Sequence, residues 1–493
     1  ALAGWGLSMV TVAYLRRYLV FLNHIFAESG DSVVISSAVV TFARELAACL
    51  AKSDCPDNAA RFEILAALGR AGEHHRQAVY AGEFGERTQV PVAEVREWLA
   101  SALQAVDATL RGNRREDGMF HSYNLLKLDG KKAPCSHLYL MLEGQVAVLS
   151  SGLLEPAEAL ALLRSMRHSS LFRADQHSYM LYPDREVLSF LSRNTLPRDW
   201  AAKVPAIAEM AKHGDRTLIL LDENGNAHFH GDLPNAAALE TQLKKIAADA
   251  RWTRAVEQDR AALLDLWETV FHHSAFTGRS GTMFAFEGLG SIYWHMVAKL
   301  LLATEEIHHR AVETNQPAEI IDGLRAAYYD IRSGLGFTKT PEVYGAFPTD
   351  PYSHTPKHLG AQQPGMTGQV KEEILTRWAE LGVQISKGRL TFAPKLLRRA
   401  EFFVEPHEFS YVDLNGIEQT WNLPAESLAF TCCQIPVCYR LADAFSITVE
   451  NCFGGSQTLE GRKLSLLDSR GIFSRNGEIT RLVVEIPRSN LCP

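Results

Sequence analysis

The feature that most constrains the fold is a change in the spacing of apolar residues at Arg389. Before it, apolar side chains recur every three or four residues, the spacing of one helix face. The predicted helices cover about residues 5–28, 34–52, 59–80, 91–111, 137–150, 155–166, 184–193, 235–249, 256–272, 285–312, 317–332 and 369–381. Because helix pairs in series must bury their apolar faces against one another, we predict a mainly α domain resembling an α/α toroid over residues 1–388.

β-structure is predicted in two places. Near 217–231, alternating apolar runs flank Asn224-Gly225, a dipeptide that favours the tight turn of a β-hairpin. From Arg389 onward, apolar and polar residues alternate in short runs: LTFAP, EFFVE, FSYVDL, IEQTWNL, LAFTCCQIPVCYRL, FSITVEN, KLSLLD and EITRLVVEIP. These runs predict a C-terminal antiparallel β-sandwich domain over residues 389–493.

Charge and cysteine content restrict the class of partner. The formal net charge is −7, the pI is near 6.2, and no dense Lys/Arg run is present, so we expect neither nucleic acid nor membrane as a partner. The eight cysteines lack CxxC spacing, which favours reduced thiols in the cytoplasm. Arg16, Arg17 and His24 interrupt the apolar N-terminal stretch, so a membrane span is disfavoured. The helix-like start without Met predicts that an N-terminal part of the same protein precedes this chain, and a homodimer is left open.

A first candidate catalytic loop follows the helix predicted at 91–111. The sequence GNRREDGMFHSYNLL places Asp117 directly before Gly118 and ahead of His121 and Asn124. A glycosidase needs a carboxylic acid that protonates the leaving oxygen, and a carboxyl beside aromatic residues can have the raised pKa that this role requires. Asp117 is therefore a candidate catalytic acid. The alternative is an ordinary Asp-Gly turn.

The glycine-containing segment FTGRSGTMFAFEGLG is a second candidate. Arg279 and the backbone N–H groups around it could bind an anion. Glu287 lies in an apolar, glycine-rich setting, where an unpaired carboxylate is costly to bury. We predict Glu287 as a catalytic carboxylate and Arg279 as a substrate ligand. The alternative for Glu287 is a helix-start residue that interacts with the helix dipole.

The third candidate is the loop at 344–368, which is rich in Pro, Gly and aromatic residues. Asp350, Tyr352 and His354 alternate in PTDPYSHTP and share one face of an extended segment. We expect them to meet a hydroxyl-rich ligand, with Asp350 as a catalytic carboxylate. Amide, hydroxyl and backbone donors for sugar or phosphate come from Gln363, Thr367 and Gly368. Thr367 is alternatively, or in addition, the N-cap of the following helix.

The fourth candidate is the interhelix loop FRADQHSYMLYPDRE. Arg173 and Asp175 are predicted to bind sugar beside Tyr179 and Tyr182, because tyrosine combines apolar area with a hydroxyl. The alternative is that Arg173 and Asp175 form an ion pair that fixes the loop.

Other kinds of chemistry lack sequence support. His228 and His230 share one strand face, but two histidines without a third ligand are usually structural, so we predict no metal. The chain contains neither a GxSxG elbow nor a GxGxxG fingerprint after a strand, which disfavours serine-hydrolase and hydride-transfer chemistry. No cofactor is predicted.

The segment from PGMTGQVKEEILTRWAELGV to GRLTFAP resembles the end of the catalytic domain in the cellobiose and chitobiose phosphorylase family. Thr367-Gly368, Leu381-Gly382 and the strand at 388–394 stand where that family has equivalent features. The resemblance, that of a distant relative, implies an inverting enzyme with an (α/α)6 toroid and a C-terminal β domain. It also implies that Thr367 and Gly368 lie at phosphate and that Asp117 is the general acid.

These observations together predict a glycoside-active enzyme that acts on β-linked gluco-oligosaccharides. The carboxylate pair would be Glu287 with Asp350 or Asp117. Hydrolysis or transglycosylation is preferred because Glu287 stands where the resemblance places phosphate ligands, and a carboxylate repels phosphate but activates water. The alternative is a phosphorylase that uses inorganic phosphate as co-substrate. A non-catalytic carbohydrate-binding subunit and a polysaccharide lyase that uses Tyr352 and His354 are further alternatives.

Overall fold

The computed structural model describes residues 6–51, 57–183, 189–273, 292–335 and 367–492. Its helices are α1 (Met9–Ala27), α2 (Ser37–Leu50), α3 (Asn58–Tyr80), α4 (Val92–Gly112), α5 (Leu142–Ser150), α6 (Pro156–Arg167), α7 (Phe190–Arg193), α8 (Trp200–Lys203), α9 (Pro205–Lys212), α10 (Ala236–Ala247), α11 (Thr253–Phe271), α12 (Trp294–Glu313), α13 (Ala318–Ser333), α14 (Thr367–Glu380) and α15 (Leu466–Ser474).

The strands are short in the helical part and longer near the C-terminus. They are β1 (Gly6–Ser8), β2 (Ser32–Ser36), β3 (Arg87–Pro91), β4 (Tyr123–Leu126), β5 (Cys135–His137), β6 (Phe172–Arg173), β7 (Ser178–Tyr179), β8 (Ile219–Leu221), β9 (Ala227–Phe229), β10 (Val383–Ser386), β11 (Arg389–Phe392), β12 (His407–Val412), β13 (Glu418–Leu423), β14 (Ser427–Cys432), β15 (Ile435–Ala442), β16 (Ser446–Asn451), β17 (Ser456–Glu460) and β18 (Ile479–Pro487). Single 3₁₀ turns cover Ala174–Gln176, Arg399–Glu401 and Arg488–Asn490.

Helices α1, α5 and α12 lie side by side and run in the same direction. At their starts, the backbone carbonyl of Ser122 accepts a bond from the Met9 N–H, and the Ser122 hydroxyl accepts one from the Gly144 N–H. Further along, the guanidinium of Arg17 bonds to the carbonyl of Ser150 and to the carboxylate of Glu306. The start of α12 lies at the first level too, because Ile292 bridges to Met180 while the neighbouring Leu181 accepts the Leu142 N–H. Contacts at both levels therefore fix the three helices in parallel.

Helix α14 extends this row beyond α12. Near the two helix starts, His295 Nε2 lies 3.5 Å from Glu372 Oε2. Past the end of α14, the Gln384 side-chain amide lies 3.2 Å from His309 Nδ1. Residue numbers rise in the same direction from the first contact to the second in both segments, so α12 and α14 are also parallel.

A second layer of helices runs in the opposite direction. Helix α4 is antiparallel to α1, because Arg16 pairs with Asp107 at 2.6 Å while Asn23 bonds to Arg96 at 3.0 Å. The short connections 151–155 and 314–317 reverse the chain, so α6 and α13 are antiparallel to α5 and α12. An apolar core that includes Leu142, Leu160, Leu301 and Leu324 fills the space between the layers. This alternation agrees with the predicted α/α organisation, while closure into a toroid stays a prediction.

One consequence of the two layers is that several chain segments meet at one end. We call it the loop end: the first turns of α5, α12 and α14 together with the last turns of α4, α6 and α13. The Leu142 N–H bonds to the Leu181 carbonyl there, and Met180 forms a backbone bridge with Ile292. The candidate loops that follow α4 and α6 therefore lie at the same end of the helical layers.

Residues 189–273 form a unit with its own apolar core. Helices α8 to α11 pack around the predicted hairpin, which is confirmed as β8 and β9 with Gly225 at a φ of +78°. Asn194 fixes this hairpin, since its side chain bonds to both the N–H and the carbonyl of Phe229. The buried carboxylate of Asp259 accepts the Ile207 N–H at the start of α9.

The C-terminal region contains a five-stranded sheet of order β14-β15-β18-β16-β17. Its other strand pairs are antiparallel, but β15 and β18 are parallel, so the prediction of a purely antiparallel sandwich is wrong in this respect. The hairpin β12–β13 covers one face through Trp421, and the other face packs on Leu390 and Phe392 of β11. The two layers meet along alternating side chains, as in other β-sheet packings.

Two strands predicted for this region are wrong. KLSLLD leads into helix α15, because the Ser465 side chain accepts the Asp468 N–H and begins a helix in place of an extended strand. EFFVE follows a 3₁₀ turn and pairs only through the bridge between Phe403 and Ser427. Elsewhere the helices predicted from apolar spacing are confirmed with shifted ends where the structure describes them, except that the predicted start at 137 lies in strand β5. Residues 184–188 and 285–291 of two predicted helices lie outside the described residues. Helices α8 and α9 were not predicted. Within the described ranges, no helix combines the length and the apolar character that a membrane crossing needs.

Candidate active site

Asp117 lies in the turn that follows α4 at the loop end. Gly118 makes this turn with a φ of +80°. The Asp117 carboxylate accepts the Arg115 Nε–H on both oxygens at 3.1 Å, the Arg115 Nη2–H at 2.9 Å and the Met119 N–H at 3.1 Å. Partial burial acts to raise the pKa of Asp117, but the bonds from Arg115 and Met119 outweigh it and lower that pKa. In this geometry Asp117 is a paired carboxylate rather than an acid with a raised pKa.

Two stacked imidazoles lie beside this turn. The rings of His121 and His137 are stacked almost parallel, with 3.8 Å between their centroids. His137 Nδ1 lies 2.8 Å from the side-chain oxygen of Asn124, whose amide donates to Asn113 at 2.7 Å. Burial first, and the neighbouring His137 second, lower the pKa of His121, so its ring is neutral at pH 7. Sequence analysis located His121 and Asn124 in this loop but gave no signal for the stack.

Arg173 and Asp175 form the ion pair that was the alternative to sugar binding. Arg173 Nε lies 2.8 Å from Asp175 Oδ1, and the hydrogen bond from Arg173 lowers the pKa of Asp175. The Asp175 side chain is 62% exposed. Both residues lie at the loop end, where an exposed pair can exchange its partner for a substrate hydroxyl.

The contact that anchors this loop was missed by sequence analysis. His177, with a φ of +45°, places Nε2 at 3.0 Å from Asp330 on α13. Asp330 also accepts a bond from Arg167 on α6, whose guanidinium stacks 3.5 Å from the centre of the Phe172 ring. A cleft of about 490 Å³ opens between α6 and α13, with Arg167, Tyr179 and Asp330 in its lining. No local pattern could show a pair of residues so far apart in sequence.

A second buried pair joins the starts of α12 and α14. Glu372 is 3% exposed, and its Oε2 lies 3.5 Å from Nε2 of His295. The other ring nitrogen of His295 lies 3.4 Å from the Tyr293 hydroxyl. The position of Glu372 on the buried face of the predicted amphipathic helix 369–381 is the sequence signal that could have indicated this pair.

The remaining predicted site residues fall outside what the structure describes. Arg279, Glu287, Asp350, Tyr352, His354 and Gln363 lie in 274–291 and 336–366. Thr367 and Gly368 form the first turn of α14 at the loop end, with only their backbone described. Among the described residues, no cluster of three or more His, Cys, Asp or Glu side chains has an arrangement that could hold a metal ion. His228 instead bonds to the Asn194 carbonyl.

The comparison with known families finds a match in the unit built around the β8–β9 hairpin. Residues 187–274 match the model of GH149 phosphorylase insertion domain 2. A search of curated proteins found no match. The family match supports a relationship to glycoside phosphorylases and to carbohydrate metabolism, without singling out the cellobiose and chitobiose enzymes. It gives no support to the preference for hydrolysis over phosphorolysis.

Proposed function

We propose that this chain is the catalytic part of a glycoside phosphorylase that cleaves β-linked gluco-oligosaccharides with inorganic phosphate. The observation that carries the proposal is the match of residues 187–274 to a phosphorylase insertion domain. The loop end supports it, because an acidic turn, stacked imidazoles and the starts of two long parallel helices meet there. Hydrolysis, preferred from the sequence, depended on Glu287 and has no comparable support.

In the proposed reaction, an oxygen of hydrogen phosphate bonds to the anomeric carbon while the glycosidic C–O bond breaks, with inversion. Asp117 donates its proton to the leaving oxygen, and the proton of the phosphate restores the acid. The products are a sugar 1-phosphate and a shortened oligosaccharide. Helices α12 and α14 direct the positive ends of their dipoles towards the loop end, which favours a phosphate bound beside Thr367 and Gly368.

The acid role of Asp117 requires a change in its ion pair. Arg115 holds the carboxylate ionised, so Asp117 takes up a proton only when Arg115 turns to another anion. A guanidinium forms bidentate hydrogen bonds with phosphate, as it does with a carboxylate. We therefore assign to Arg115 an exchange from Asp117 to phosphate when the co-substrate binds.

Other parts of the proposal come from the sequence. Inorganic phosphate is the only co-substrate, no cofactor is required, and Asp350 or Glu287 assists the reaction. The predicted sugar ligands are Arg173, Asp175, Arg279, Tyr352, His354 and Gln363. A cytoplasmic location and a homodimer belong to the proposal in the same way.

The deciding experiment is product analysis on β-1,2-, β-1,3- and β-1,4-linked gluco-oligosaccharides, with and without phosphate. The expected result is release of a sugar 1-phosphate only when phosphate is present. Release of shorter sugars without phosphate would replace the proposal with hydrolysis or transglycosylation. Products that absorb in the near ultraviolet would indicate a lyase, and binding without products would indicate a carbohydrate-binding subunit.

A further inference from the structure

We propose that Asp330 on α13 is a positioning residue for the oligosaccharide, because it holds the β6–β7 hairpin (172–179) where Arg173 and Asp175 meet the sugar. This inference rests on the proposed function, which names Arg173 and Asp175 as sugar ligands, and it adds the residue that places them. Asp330 acts through the hairpin and makes no contact with the sugar itself.

The first step is that the β6–β7 hairpin is too short to hold its own shape. Its ladder consists of two residue pairs, Phe172 with Tyr179 and Arg173 with Ser178. An isolated two-stranded hairpin is at best marginally stable in water. The turn that carries Asp175 therefore needs support from other parts of the chain.

The second step is the support that Asp330 gives to both sides of the hairpin. One carboxylate oxygen accepts a hydrogen bond from His177 Nε2 at 3.0 Å, directly before β7. The other accepts one from Arg167 Nε at 3.0 Å, and the Arg167 guanidinium lies 3.5 Å from the centre of the Phe172 ring in β6. The side chains of Asp330, Arg167 and His177 are 36%, 38% and 40% exposed. Because ion pairs at such exposure contribute little to the stability of a whole domain, their main effect is to fix the hairpin on α13.

The third step is a close approach between the hairpin backbone and the end of α13. A Cβ atom at Gly334 would lie 1.9 Å from the carbonyl oxygen of His177. Gly334 caps α13 with a φ of −84°, a value open to any residue, so the contact and not the backbone conformation requires glycine. The hairpin therefore rests directly on the end of α13.

The fourth step is the connection from the hairpin to the first layer of helices. Directly after β7, Met180 forms its backbone bridge with Ile292, which lies two residues before the start of α12. The hairpin thus extends from α13 towards the helix starts beside which the reaction is proposed to occur. The side chains of Arg173 and Asp175 are 42% and 62% exposed, so an oligosaccharide at the loop end can reach them. A shift of the hairpin on α13 would displace both sugar ligands together.

The kinetic test compares Asp330→Asn and Gly334→Ala with Asp322→Asn, which alters another α13 carboxylate, one that is 61% exposed. The amide at 330 removes the charge that holds the hairpin, and the methyl group at 334 pushes the hairpin away without altering any charge. Phosphorolysis is measured with each substrate varied in turn. We expect both variants to raise the KM for the oligosaccharide about tenfold, the effect of one lost hydrogen bond to a charged group, with a smaller change in kcat. The KM for phosphate should stay at the wild-type value, and Asp322→Asn should match the wild type throughout. An unchanged KM for the oligosaccharide in both variants, or an equal rise in both KM values, would overturn the proposal.

A combined variant shows whether Asp330 acts through the hairpin. In a protein that carries Arg173→Gln and Asp175→Asn, the two sugar ligands are already lost. Addition of Asp330→Asn should then raise the KM for the oligosaccharide no further. A second tenfold rise would mean that Asp330 affects the substrate by another route, and would refute the positioning role.

A structural measurement separates this inference from the proposed function. Hydrogen exchange of peptides that cover 169–183 reports how firmly the hairpin is held, and circular dichroism confirms that each variant is folded. We expect faster exchange in Asp330→Asn and Gly334→Ala, and wild-type exchange in Asp322→Asn. If the wild type releases no sugar 1-phosphate, the phosphorylase proposal fails, and the affinity for the oligosaccharide, measured by calorimetry, takes the place of KM. Wild-type exchange in both Asp330→Asn and Gly334→Ala would refute the positioning role.

Discussion

The carboxylate of Glu380, at the end of α14, lies 2.7 Å from the guanidinium of Arg332 on α13, and the glutamate is only 1% exposed. Arg377 pairs with the same carboxylate at 2.7 Å, and the buried hydroxyl of Tyr328 donates to it at 2.6 Å. Arg377 also pairs with Glu401, which leads into the C-terminal sheet region. The buried carboxylate of Glu380 thus joins α14 to α13 of the second helix layer. Through Arg377 it is also linked to Glu401, ahead of the C-terminal sheet.

Replacement of Glu380 should therefore destabilise the fold strongly. Glu380→Ala removes a shared acceptor from two guanidinium groups and a buried hydroxyl, and loss of one partner from a buried pair costs about 3–5 kcal/mol. Urea unfolding followed by circular dichroism measures the change, with Glu319→Gln on the exposed start of α13 as control. A loss below about 1 kcal/mol, the size typical of a surface pair, would contradict the inferred role.

The sequence located most of the helices, though not α8, α9 or α15, because most of them bury one stripe of side chains and that stripe is visible in the local spacing of apolar residues. It placed Asp117 and the Arg173–Asp175 loop for the same reason, since both follow predicted helices. The pair of His177 and Asp330 left no trace, because it joins residues that are 153 positions apart. Such pairs depend on how layers pack, which spacing does not encode.

The wrong strand at KLSLLD has a different cause. Its alternation of apolar and polar residues favours a strand, but Ser465 and Asp468 also form a helix N-cap, and the cap determined the local structure. The parallel pairing of β15 with β18 could not be predicted either, since strand direction depends on the helix and strands that connect them. Local signals therefore identified most elements but not their partners.

The raised pKa of Glu305 predicts that the free energy of unfolding falls as the pH rises. Burial, with Glu306 and Glu380 nearby, raises the pKa of Glu305 to about 8, above its ordinary value of 4.5. Between these two values the folded protein binds more protons than the unfolded chain, so the free energy of unfolding falls as the pH rises. The slope from this group is at most about 1.4 kcal/mol per pH unit.

Glu305→Gln should remove that slope and make the protein more stable than the wild type at pH 8. Thermal unfolding between pH 5.5 and 8.5 measures the effect. Glu319→Gln is the control, because Glu319 is exposed on α13 and is not among the charges that raise the pKa of Glu305. An identical pH slope in Glu305→Gln and the wild type would show that Glu305 titrates normally.

Asp117→Asn tests the proposed general acid. The amide keeps the shape of the turn but cannot donate a carboxyl proton, so kcat for phosphorolysis should fall by about 10²–10⁴. Because the amide no longer competes with phosphate for Arg115, the KM for phosphate should not rise. Glu116→Gln, at the exposed neighbouring position, should keep wild-type activity. If Asp117→Asn retained more than a tenth of kcat, another residue would have to supply the proton.

Arg115→Gln should shift the pH dependence of the reaction in a defined direction. Arg115 and the Met119 N–H together lower the pKa of Asp117 against the opposing effect of burial, so removal of the guanidinium should raise that pKa. A general acid must be protonated, so activity falls as the pH rises through its pKa. The alkaline limb of kcat/KM should therefore move to higher pH, by about one unit. Arg114→Gln is the control, since Arg114 lies 3.7 Å from Glu158 and makes no described bond to Asp117. A limb that stays in place, or moves to lower pH, would mean that Arg115 does not control the proton on Asp117.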